Sequence, residues 1–92
     1  MVRVLIPGPL QPFAEGRREI ALPRRPQTVA DALRAVGEAH PGIRERVVTE
    51  RGELRPHINV FVGADNVRDA DGLATRVPED AEISILPAVS GG

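Results

Sequence analysis

The chain has 92 residues, of which 41% are hydrophobic but only Phe13 and Phe61 are aromatic; 12 basic and 13 acidic residues leave a net charge of −1. That describes one small domain with a modest, aliphatic core, and it lacks both the basic stripe and the stacking rings that nucleic-acid binding uses. There is no cysteine, and every basic residue is arginine, which excludes disulfides, iron–sulfur ligation, a thiol nucleophile, a Schiff base and a phosphate-loop lysine.

Met1 to Ile6 alternates around Val2, Val4 and Ile6, predicting a first strand with Arg3 and Leu5 on its other side. Pro7, Gly8, Pro9 and Pro12 predict a loop, with Phe13-Ala14 tucked back onto the core. Arg17 to Leu22 reads as a second strand, Ile20 and Leu22 inward, and Pro23-Arg24-Arg25-Pro26 as a connector. Thr28 is a good helix N-cap, and Asp31 three residues on completes a box that favours the positive helix end. Val29, Ala32, Leu33, Val36 and Ala39 then share one face, so a helix is expected from Val29 to about His40, ended by Pro41-Gly42. Gly37 inside that helix costs about 1 kcal/mol against alanine, which points to close packing.

Ile43 to Val48 predicts a second, short helical turn, and Glu50 to Glu53 a reverse turn. A third strand opens at Arg55 or His57, with Ile58, Val60 and Val62 inward. Gly63-Ala64-Asp65-Asn66 reads as a tight turn, Val67 to Leu73 as a short edge strand and loop, and Val77 to Asp80 as another turn. Glu82 to Leu86 is the last strand. Among other chemistry-bearing residues, His40 and His57 stand on separate elements without cysteine or a zinc-binding spacing, so no metal site is expected. His40 suits the end of the helix, and His57 suits an outward strand position. No serine has a credible His–Asp partner set. Val4-Leu5-Ile6 followed by Pro7 is too short for a signal-peptide apolar run, and no stretch approaches a membrane span, so the cytoplasm is the expected location.

The stretch that stands out is the last: Ile85-Leu86-Pro87-Ala88-Val89-Ser90-Gly91-Gly92. Pro87 cannot donate to a sheet ladder, so pairing should stop there. Six residues from Pro87 to Gly92 reach about 20 Å when extended, and the two glycines fit a narrow channel at any backbone angle. That reach is enough for the tail to enter a partner's site while the body stays outside, and the expected reactive group is the Gly92 carboxylate. A frayed chain end is the plainer alternative.

Gly72-Leu73-Ala74-Thr75, Pro78-Glu79-Asp80-Ala81-Glu82 and the closing run from Ile85 to Gly92 together resemble the ThiS/MoaD family of ubiquitin-like sulfur carriers. Val2 to Ile6 and Thr28 to Leu33 sit where that family has its first strand and main helix, so the resemblance covers most of the chain. The Gly-Leu-Ala-Thr and Leu-Pro-Ala-Val words look closest to the branch that serves cysteine biosynthesis. Ala81 departs from the Gly-Asp often found in that turn. The order strand–strand–helix–strand–strand fits the same fold: α+β, a ubiquitin-like β-grasp with a mixed sheet of four to five strands on one main helix. A right-handed crossover would then put the first and last strands side by side in its middle. Residues 1–86 are expected to form the domain, and residues 87–92 a flexible C-terminal tail.

The resemblance implies a protein co-substrate with no cofactor of its own and no catalytic power alone. An E1-like enzyme would use ATP to adenylate Gly92, and a sulfur donor would convert it to a thiocarboxylate. That sulfur would pass to a downstream synthase making cysteine, a thiosugar or another metabolite. Pro87, Ala88, Val89, Ser90 and Gly91 would lie in the partner's channel. Alternatives are the small subunit of molybdopterin synthase, a ubiquitin-like protein modifier, or a plain interaction module. Alternation also predicts that Leu5, Phe61 and Leu86 face away from the helix, as an apolar docking patch beside the tail ringed by Arg3, Asn59 and Ser84. Neither a nucleic acid nor a membrane is an expected partner.

Overall fold

A computed structural model describes residues 1–87. Five strands, β1 (Val2–Leu5), β2 (Glu19–Leu22), β3 (Ile58–Val62), β4 (Asp65–Asn66) and β5 (Glu82–Pro87), form one mixed sheet in the order β2-β1-β5-β3-β4. β1 and β5 lie parallel in the middle, with Val4 opposite Ile83, and the other neighbours are antiparallel. Two helices, α1 (Val29–Ala39) and α2 (Pro41–Val47), complete the domain. This is the β-grasp that the element order predicts.

Burial follows the pleat. Val2, Val4, Ile58, Val60, Ile83 and Ile85 are sealed on one face of the sheet, in one cluster with Val29, Ala32, Leu33 and Val36 of α1. No buried residue is polar or charged among the described residues, so the core rests on aliphatic packing, which stabilises by about 25 cal/mol per Å² removed from water. α1 starts where its cap dictates: the Thr28 hydroxyl accepts from the Asp31 N–H, and the Asp31 carboxylate accepts from the Thr28 N–H. Burial pushes the Asp31 carboxyl up, but the N–H groups of Thr28 and Gln27 and the Arg34 guanidinium pull harder and leave it below the usual carboxylate range. A Cβ on Gly37 would lie 2.7 Å from Arg44 Cδ and 2.9 Å from Arg44 Cβ. The glycine is what lets α2 fold back on α1.

Several local expectations are corrected. Pro7 to Pro12 is not an irregular loop: Gly8–Ala14 is a 3-10 helix that starts on prolines and buries Leu10 and Ala14. Phe13 stays out of the core, 37% exposed, because its ring lies under Arg46 on α2, with the guanidinium carbon 3.4 Å from the ring centroid. Pro41 ends α1 but also opens α2, as the first residue of a helix whose N–H would be unpaired anyway. Asp65 and Asn66 are not turn residues; they are β4 itself, across a two-residue turn whose Gly63 takes a φ of +59°. Val67 to Leu73 holds 3-10 turns rather than the edge strand. His57 precedes β3, which begins at Ile58.

Candidate docking face and tail root

The three central strands bring the expected outward residues together. Ser84 of β5 sits in register between Leu5 of β1 and Phe61 of β3, and Leu86 lies opposite Asn59 one pair further along. Leu5, Phe61 and Leu86 therefore share one face of the sheet. Leu86 is 47% exposed; Leu5 and Phe61 are half-buried, so the apolar area is smaller than three free side chains would give. Ser84 is not at the rim: it lies in the middle, between the two larger residues.

Charge borders that face on one side. Arg3 stands opposite Glu82 on β5, with 3.2 Å between Nη2 and Oε2, and 3.6 Å from Glu19 on β2. The guanidinium thus links three strands, at a half-exposed site where such pairs contribute little energy but fix side-chain direction. Asp80 follows the same logic at the domain's edge. The α-ammonium of Met1 donates to its carboxylate, and that bond and charge lower the Asp80 pKa. The left-handed φ of 56° at Asp80 belongs to the turn where the order Glu79-Asp80-Ala81 departs from the expected Gly-Asp.

β5 extends one residue beyond expectation. Pro87, half-buried, is still in register opposite Ile58, and the ladder among the described residues ends with that pair. A proline is tolerated there because the last position of a strand needs no further donor. Ala88, Val89, Ser90, Gly91 and Gly92, the residues to which the tail chemistry was assigned, lie outside the described residues.

Sequence reasoning missed what holds the tail's root. Arg68 reaches back to the start of β3, where its Nη2 donates to the carbonyls of Arg55 (2.6 Å) and Ile58 (2.7 Å) and its Nε to Asn59 Oδ1 (3.3 Å). Arg55 in turn donates through Nε to the Glu45 carbonyl at 2.9 Å. No periodicity announces a guanidinium that satisfies carbonyls ten or more residues away. Among the described residues no cluster of His, Cys, Asp or Glu could hold a metal ion. A surface groove of about 720 Å³ between Phe61, Asn66, Arg76 and Glu82 gathers no nucleophile and base in catalytic arrangement among the described residues.

Comparison with known proteins agrees with this geometry. The model of the ThiS family matches residues 4–92. The sulfur carrier protein CysO of Mycobacterium tuberculosis is 31% identical over 93 aligned positions, covering 99% of this chain and 98% of that protein. Small archaeal modifier protein 3 of Haloferax volcanii is 37% identical over 65 residues, 71% of this chain and 70% of that one. Among solved structures, the Amycolatopsis orientalis BexX/CysO complex contains a chain that superposes with a TM-score of 0.90 at 35% identity, covering 100% of both.

Proposed function

The chain belongs to the ThiS family of sulfur carriers, and on that premise we propose that its Gly92 carboxylate is adenylated by an E1-like enzyme and converted to a thiocarboxylate that donates sulfur in biosynthesis. Carriers of this family are protein co-substrates, not enzymes, and bind no cofactor themselves. The observation that carries the reading is the family match running through Gly92, five residues beyond a strand that lies in the middle of the sheet beside an outward apolar face.

The chemistry is ordered by the carboxylate's poor leaving group. One Gly92 oxygen attacks the α-phosphorus of ATP and pyrophosphate departs. The acyl adenylate then has AMP as leaving group, and a hydrosulfide-equivalent donor attacks its carbonyl carbon. The thiocarboxylate sulfur is nucleophilic near neutral pH; it attacks a synthase-bound metabolite and expels that metabolite's leaving group, and hydrolysis of the resulting Gly92 acyl–sulfur bond frees the product and restores the carboxylate. Cysteine formation is the favoured destination, because the matches over nearly the whole chain include carriers of the CysO type. The same Gly92 chemistry would serve a molybdopterin synthase small subunit; a permanent complex with a large subunit marks that case. A modifier role is favoured by one observation, the likeness to archaeal modifier proteins, and predicts isopeptides between Gly92 and lysines of other proteins.

Pro87 to Gly91 would occupy the enzyme's channel, and Leu5, Phe61 and Leu86 would dock on its surface. ATP is consumed by the partner. Action in the cytoplasm is part of the proposal; no helix among the described residues is long and apolar enough to cross a membrane. The test is intact mass after incubation with a ThiS/MoaD-type activating enzyme, ATP and sulfide. Exchange of one oxygen for sulfur, with thiol-selective alkylation of the C-terminal peptide, is expected. Alkylation is needed because oxidation of Met1 adds nearly the same mass. Absence of both adenylate and thiocarboxylate refutes the reading.

A further inference from the structure

Beside Pro87 lies a groove of about 390 Å³. Pro9, Leu10 and Ile58 give it an apolar floor, and Arg46, Arg55 and His57 stand on its walls. Both guanidiniums are held in place by neutral groups. Arg46 lies over the Phe13 ring and donates through Nη1 to the Gly42 carbonyl at 3.1 Å; Arg55 is fixed on the Glu45 carbonyl, and Arg68 clamps the segment that carries Arg55. The ion pairs among the described side chains are made by Arg3, Arg25 and Arg34, and among the described residues neither Arg46 nor Arg55 is matched to a carboxylate. Among the described lining residues Glu45 is the one that bears a carboxylate, and it is exposed.

We propose that Arg46 and Arg55, with His57 beside them, form a cationic collar at the root of the tail that pairs with acidic side chains on the rim of the partner's tail channel. The inference rests on the carrier reading. Chain length decides which anion is meant. Five residues from Ala88 to Gly92 span about 17 Å when extended. The collar therefore stays well away from the nucleotide that activates Gly92, and the groups it can meet are those at the channel mouth. Fixed guanidiniums suit carboxylates, since their planar forks bind them with little ordering cost. Pairs of this kind at an interface rim act chiefly on encounter rate and orientation.

Stopped-flow association with a ThiS/MoaD-type activating enzyme, across a salt series, tests this. Arg46→Gln combined with Arg55→Gln is expected to slow association about tenfold at low salt, with the difference closing above about 0.5 M, because such steering is screened. Dissociation and the final yield of thiocarboxylate should change little. If circular dichroism shows that loss of Arg55 disturbs the fold, Arg46→Glu alone carries the test. An association rate unchanged from wild type at low salt overturns the proposal. So does a change in the Arg46 and Arg55 side-chain NMR signals when residues 88–92 are deleted from the free protein, which would make the chain's own tail the occupant. Binding is read separately from acyl transfer, so normal, salt-sensitive association without adenylate would refute the carrier reading and leave the collar standing.

Discussion

Alternate residues of one strand, β5, live in two environments. Ile83 and Ile85 are sealed against α1, at most 1% exposed, whereas Ser84 and Leu86 look out from the other side. The inner face is a continuous aliphatic surface with its partners already in place. The outer face offers a few partly exposed apolar groups, a serine between them and an Arg3–Glu82–Glu19 border. The difference teaches that stability and association are separable here, though they share a backbone.

The largest effect should come from the inner face. Ile85→Ala removes a fully buried branched side chain from the middle strand and should lower unfolding free energy by about 2–5 kcal/mol, read from urea melts. On the outer face, Leu86→Asp should leave the melt within about 0.5 kcal/mol. Its association with the activating enzyme should nevertheless weaken tenfold or more, about 1.4 kcal/mol, by titration calorimetry. A Leu86 variant that melts early while binding normally would erase the contrast.

Smaller perturbations sharpen the comparison because they touch only the helical layer. Gly37→Ala gains helix propensity but drives a methyl into Arg44, whose Cβ is tied to the α2 backbone. A net loss of about 1 kcal/mol is expected in the same melts. Thr28→Ala removes one half of the capping box and should cost about 1 kcal/mol without affecting association. The smallest effect is acid sensitivity at Asp31. Its folded pKa is depressed, so its contribution is present above the unfolded carboxylate value and fades as pH falls through the lowered folded one. Asp31→Asn should flatten that part of the pH–stability curve.

The elements that could be read from the chain were those whose information is local and periodic. α1 announces itself through Thr28, Asp31 and a stripe of Val29, Leu33 and Val36; β3 and β5 through strict alternation. What escaped was set by tertiary contact. Prolines that look like loop-formers start a 3-10 helix because Leu10 and Ala14 have a core to enter. Asp65 and Asn66 become a strand because Phe61 and Val62 present unpaired backbone to them. Phe13 prefers a cation to the core, and Arg68 ties down a segment ten residues away. The outward placement of Leu5, Phe61 and Leu86 was legible from pleating alone, but the position of Ser84 between them needed the register.

The central position of β5 also has a mechanical meaning. A tail gripped by a partner and pulled would transmit its load into a strand bonded on both sides, to β1 in parallel and to β3 antiparallel. Tension along that axis must shear two ladders at once, whereas an edge strand under the same pull would have to shear only one. On the proposed carrier reading, the domain would serve as an anchor: a pull applied through Pro87 would slip the tail from a partner's channel before it unravelled the fold.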